Sequence, residues 1–161
     1  MNTLTNAVTR VLSITLISLM IIMVLTVTWQ VFTRFVLGDP SGFTEELAGF
    51  LLIWIGLLGA SYAYYTKAHL GIDVLTANLS DRKRQLSEIL VSAIVFLFGL
   101  CLLVIGGSRL VGITFTLKQI SPAIGIPMGY IYLVLPISGF LFMYYSVIFI
   151  VNSSDRNQTY P

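Results

Sequence analysis

Residues 11–33 read VLSITLISLMIIMVLTVTWQVFT, an apolar run with no Asp, Glu, Lys or Arg. A helix rises about 1.5 Å per residue, so roughly 20 such residues cross the ~30 Å hydrocarbon core of a bilayer. By length and by composition the run is a membrane-spanning helix. Three more stretches share both properties: Leu47–Thr66, Ile89–Ser108 and Met128–Val151. The gaps between them are far shorter than the roughly 50 residues a soluble domain needs. Residues 1–161 are therefore expected to form a single transmembrane domain.

Hydrophobic residues make up 57% of the chain and charged residues 10%, against about 25% charged in a soluble domain. A water-facing surface cannot be built from such a composition. Lipid offers the backbone no hydrogen bonds, which leaves helices and closed barrels as spanning structures, and these runs lack the alternation of barrel strands. The expected fold class is an all-α membrane protein with four transmembrane helices. The first run is longer than the roughly 7–15 residues of a signal-peptide core, and Trp29-Gln30-Val31-Phe32-Thr33-Arg34 offers no small-x-small cleavage site, so it reads as a retained helix.

Four spans put both termini on one side. With the termini in the cytoplasm, Arg10, Lys67, Arg82, Lys83, Arg84 and Arg156 lie inside and Arg34, Arg109 and Lys118 outside, a six-to-three bias that favours N-in, C-in. The Arg82-Lys83-Arg84 cluster then faces anionic lipid headgroups, at about 1 kcal/mol per basic residue. That attraction offsets the unfavourable placing of cations at a helix start. Ile72, Leu75 and Leu79 recur at helical spacing, with Asp73 and Asn78 off that line, which fits a short interfacial helix on the cytoplasmic side. The alternative is an ordinary loop leading into the third span.

Small residues form two stripes: Gly49, Gly56 and Ala60 on the second span, with Ala63 one turn on, and Ser92, Gly99 and Gly106 on the third. Such faces let backbones approach closely, a main source of helix association in lipid. They suit packing with a partner subunit, although packing inside the chain explains them too. Between the first two spans, Gly38-Asp39-Pro40 and Gly42 are turn chemistry, and Thr44 before Glu45 and Glu46 suits a helix N-terminus. A second role for the acids is an ion pair from Arg34 to Glu45 or Glu46, because a charge at the membrane edge is costly unless paired. This structural pair is the preferred reading over a transport site.

Arg109 and Lys118 flank the apolar stretch 110–117, which reads as a continuation of the third helix, with a stop at Ser121-Pro122. Pro127 fits the first turn of the fourth helix, and Pro136 should kink it. Cys101 is the sole cysteine and His69 the sole histidine, so neither an intrachain disulfide nor a multi-ligand haem or zinc site is expected. No nucleophile with a base and no phosphate-binding glycine loop is present, so the chain does not read as an enzyme, and no cofactor is expected. Complete transporters commonly carry internal repeats and broken helices with ionisable groups near the midplane. Here the spans have uncharged middles, and the residues alone point to a small accessory membrane subunit.

Four segments, in order, sharpen this: Val31-Phe32-Thr33-Arg34-Phe35, Phe43-Thr44-Glu45-Glu46-Leu47-Ala48, Lys67-Ala68-His69-Leu70-Gly71-Ile72-Asp73 and Ser121-Pro122-Ala123-Ile124-Gly125-Ile126-Pro127. Together they resemble the small membrane (Q) subunit, DctQ-like, of tripartite ATP-independent periplasmic (TRAP) transporters. The resemblance extends from about Arg10 to Val151, with Phe43 where that family often has Trp. It implies a bacterial inner-membrane subunit that braces a large membrane (M) subunit, which carries organic acids such as C4-dicarboxylates or sialic acid with sodium. A periplasmic substrate-binding protein would deliver the solute. The expected partners are those two proteins and membrane lipids, and nucleic acid is not among them. The family positions carried over are Arg34, Glu45, Glu46, His69, Asp73, Pro122 and Pro127, in structural roles. Asp39, Arg109 and Lys118 are candidates for contact with the binding protein. The competing reading is a self-assembling four-helix channel or small carrier.

Overall fold

The computed structural model of the protein describes residues 3–38, 41–66 and 81–155. Among the described residues there is helix and no strand, and four helices are long and apolar enough to cross a membrane: Thr3–Leu37, Gly42–Tyr65, Arg84–Thr116 and Met128–Ser153. The first span is α1 (Thr3–Phe32) closed by π-wound residues Thr33–Leu37, and the second is α2 (Gly42–Tyr65). The third is α3 (Asp81–Phe98), a π-wound stretch Gly99–Gly106 and α4 (Gly107–Thr116). The fourth divides into α5 (Met128–Tyr132) and α6 (Val134–Asp155). The expected interfacial helix and the positions Asp39, His69 and Asp73 lie outside the described residues.

The helices overrun the apolar windows because nothing in Thr3–Arg10 or Asp81–Glu88 stops them; neither segment holds a proline or glycine. Where they end, the backbone says why. Lys118 sits in the left-handed region at φ 49°, with its N–H on the Phe115 carbonyl and the Gln119 N–H on the Thr114 carbonyl. This is a Schellman cap, so the third helix stops at Thr116, short of the expected Ser121-Pro122. Pro136 has no N–H for the Tyr132 carbonyl and its ring crowds that turn. The expected kink is a break at Leu133, between α5 and α6. Pro127 stands just before the helix with extended ψ 125°, as its N-cap and outside the expected first turn.

Only 17% to 28% of each span's most apolar window is buried within the chain. The remaining apolar surface, including Ile14, Ile21, Leu25, Leu52, Leu97 and Leu102, points outward. In lipid this costs nothing, because acyl chains are as apolar as leucine. Some hydroxyls turn inward, while the exposed Ser18 and Thr28 donate to the carbonyls of Ile14 and Val24 on their own helix. Thr26 and Ser61, both buried, donate to the carbonyls of Ile22 and Leu57 one turn back, which satisfies these hydroxyls within their own helices.

Contacts gather into two units, Met1–Tyr62 with Leu110–Val134, and Ala63–Arg109 with Leu135–Pro161. In the second unit, buried Gly99, Leu103 and Gly107 recur every four residues along the third span. A Cβ on Gly99 would stand 3.1 Å from the Gly139 carbonyl oxygen, and one on Gly107 2.7 Å from the Leu135 Cβ. Aromatic rings fill the rest: Tyr64 lies edge-on to Phe149 at 5.3 Å, Tyr65 tilts over Tyr145 at 4.8 Å, and Phe98 meets Phe142 at 6.4 Å. Fully buried Ser146 donates to the Tyr64 hydroxyl at 3.3 Å.

Candidate functional site

In the first unit the sequence-selected residues divide sharply. α2 begins at Gly42, two residues before the expected start, so Thr44 is a first-turn residue whose buried hydroxyl donates to the Ser41 carbonyl at 2.9 Å. Two residues on, Glu46 points at the hairpin 117–127. Its Oε2 accepts the N–H of Ala123 at 2.9 Å and of Ile124 at 3.0 Å. Two successive backbone N–H groups converging on one oxygen form an anion-binding nest. Here the anion belongs to the chain.

The hairpin that supplies these donors is closed by its own backbone. Ser121 N–H donates to the Ile126 carbonyl, Met128 N–H to the Gln119 carbonyl and Gly125 N–H to the Ser121 carbonyl, with Ile120 and Pro127 paired as an antiparallel bridge. Gly125 takes φ 77°, a conformation that L side chains rarely adopt. The closed turn leaves the 123 and 124 amides facing outward, toward Glu46. Eight residues along α2, Trp54 makes a second polar contact, its indole N–H on the Ile131 carbonyl at 3.1 Å.

The expected ion pair does not form: among the described residues nothing joins Arg34 to Glu45 or Glu46, and Arg34 and Glu45 are exposed. The reason is that Glu46 is engaged elsewhere, while Arg34 sits on a π-wound turn that ends at Gly38. Arg109, Lys118 and Pro122 are exposed and Pro127 half-buried. Arg82 and Lys83 stand in the first turn of α3, and Arg84 approaches Glu88 at 3.6 Å. Among the described residues no group of three His, Cys, Asp or Glu could hold a metal ion.

The small-residue stripes part company too. Gly49 and Gly56 are exposed, and a Cβ on either would meet nothing within 4 Å. Ala60 is half-buried. On the third span Ser92 and Gly99 are buried within the chain, Gly99 against Gly139 and Phe142, so Gly99 serves internal packing and not a partner. Gly106 is exposed, and Gly107 takes the buried position expected for it. Hydrogen bonding from i to i+5 places more residues in each turn than the α-helix's 3.6, so the face that begins at Gly99 returns at Gly107. Gly107, Gly129, Gly139 and Trp54 are close-contact residues that the sequence reading missed. No one-dimensional signal distinguishes them from exposed glycines or an interfacial tryptophan.

Four helices long and apolar enough to cross a membrane, joined by short connections, define the class as a multi-pass membrane protein. The family model of the tripartite ATP-independent periplasmic transporters, DctQ component, matches residues 23–156. The chain belongs to that family, whose members are transporter permease subunits and not an enzyme class. It is 27% identical over 141 residues to a TRAP transporter small permease protein of Haemophilus influenzae, covering 88% of this chain and 86% of the relative. The sialic acid TRAP transporter small permease protein SiaQ of Vibrio cholerae is 34% identical over 68 residues, 42% of this chain and 39% of that one. The isethionate TRAP transporter permease protein DctMQ of Oleidesulfovibrio alaskensis is 33% identical over 95 residues, 59% of this chain but 15% of the relative. In that relative the small-subunit sequence is a minor part of a much longer permease chain.

Proposed function

We propose that this chain is the small subunit of a sodium-coupled importer of an organic acid, bracing a large membrane subunit that receives solute from a periplasmic binding protein. Family membership over residues 23–156 carries the reading. The exposed Gly49 and Gly56 support it, since they leave a close-approach face on the second span uncovered within the chain. The relatives' names span sialic acid, isethionate and C4-dicarboxylate, all organic anions, and this chain's solute belongs to the same broad class. The six-to-three charge bias supports cytoplasmic termini in the bacterial inner membrane. In that orientation Arg34, Asp39, Arg109 and Lys118 face the periplasm, where Asp39, Arg109 and Lys118 can steer the binding protein.

The test is reconstitution. The chain, its large subunit and the cognate binding protein are placed in liposomes with an inward sodium gradient, and uptake of labelled organic acids is measured with each component omitted in turn. Uptake that needs all three supports the proposal. Robust uptake or conductance by this chain alone would establish the channel or carrier reading instead.

A further inference from the structure

The hairpin 117–127 has few apolar anchors. Ile120 is 61% exposed and Ile126 41%, Pro122, Ala123 and Gly125 are exposed, and Ser121 is its one fully buried residue. Its backbone bonds shape it and tie its ends to α4 and α5, but none of them reaches α2. Among the described residues, the hydrogen bonds that reach from it to α2 all end on the Glu46 carboxylate. Bonds to an ionised acceptor are roughly twice as strong as neutral ones, and here two donors share one.

We infer that Glu46 is the positioning residue of this hairpin: its carboxylate is the internal anion of a backbone nest, and this polar clasp, rather than apolar burial, seats residues 117–127 on the start of the second span. The exposed side chains of Lys118, Ile120 and Ile126 are thereby presented from a fixed frame. A helix cap or a solvated surface acid would impose no such order. The inference concerns the chain by itself and does not rest on the transport reading.

The geometry supplies its own test. A Cβ on Gly42 would lie 3.9 Å from the Ala123 Cβ, inside the range of about 3.5–4.5 Å that a disulfide spans. In a Cys101→Ala background, Gly42→Cys with Ala123→Cys reports how long the hairpin stays seated. The full chain in mild detergent is treated with copper–phenanthroline and the rate of disulfide closure followed. With Glu46 present closure is fast; Glu46→Ala should slow it by about tenfold or more, the loss of two charge-assisted hydrogen bonds. Glu46→Gln, whose carbonyl oxygen still accepts both N–H groups, should stay within about threefold. Equal rates in the Glu and Ala chains overturn the inference. If the Glu46→Ala chain accumulates poorly, the same disulfide replaces the clasp: folded yield should return on oxidation and fall on reduction. A yield that oxidation leaves low removes the positioning role.

Discussion

Gly99 and Gly139 meet backbone to backbone where the third and fourth spans touch, a Cβ on Gly139 falling 2.9 Å from the Gly99 carbonyl oxygen. The same Cβ would stand 2.8 Å from both the Leu103 Cβ and the Val104 Cγ2. None of these atoms is the free end of a long side chain, so the helices themselves must separate. Gly139→Ala should therefore destabilise the chain by about 1–3 kcal/mol, the usual cost of overpacking, read as a lower unfolding midpoint in detergent. Gly49→Ala, into open space, should leave the midpoint unchanged or slightly raised, since alanine is the better helix former by about 1 kcal/mol.

The second-span glycines make the complementary case. Gly49→Leu and Gly56→Leu add side chains where this chain offers nothing within 4 Å, so the isolated chain should fold and insert as before. Under the proposed function the same substitutions push a partner helix away, and co-purification with the large subunit should fall severalfold. Unchanged recovery of the complex with both substitutions would move the partner contact to another face.

Hydropathy made the four spans legible because each is a continuous apolar run, and Pro136 announced the break at Leu133. The contacts were less legible for stated reasons. A seven-residue period put Gly106 on the buried face, whereas π winding between Gly99 and Gly106 put Gly107 there. Glu46 reads as a helix-start acid because its true partners, the amides of Ala123 and Ile124, lie 77 and 78 residues away and carry no side-chain signature. The Ser-Pro-Ala-Ile-Gly turn contains that nest in its backbone, which composition cannot display.

Arg34 and Glu45 are exposed and unjoined, so their electrostatic coupling should be slight. Arg34→Ala should cost under about 1 kcal/mol, the range of exposed charges. A double-mutant cycle with Glu45→Ala should give coupling near zero. Coupling of several kcal/mol would restore the ion pair that the sequence suggested.

Lys118 stands at φ 49° in the position where helices usually place glycine. A left-handed L residue costs roughly 1–2 kcal/mol, so Lys118→Gly should raise stability by about 1 kcal/mol provided the cap is kept, while Lys118→Val should lower it. The unfolding midpoint of each variant measures the difference. A Gly variant less stable than the parent would mean that the lysine side chain contributes contacts outweighing its backbone strain.

Trp54 reaches across to the fourth span just before that helix breaks, its indole N–H 3.1 Å from the Ile131 carbonyl, two residues short of Leu133. Helical hydrogen bonding normally consumes such a carbonyl, yet Pro136 disturbs the turn that follows it. An added donor there is valuable, since the hydrocarbon region supplies no water. Trp54→Phe keeps an aromatic ring but removes the donor, and measured interhelical hydrogen bonds in membranes average about 0.6 kcal/mol and reach about 1.7. A loss within that range is expected, seen as a lower unfolding midpoint in detergent. Pro136→Ala restores an N–H and lets the helix run on, so the indole bond should matter less in that background. The Trp54→Phe penalty should then shrink, and a penalty identical in both backgrounds would uncouple the tryptophan from the break.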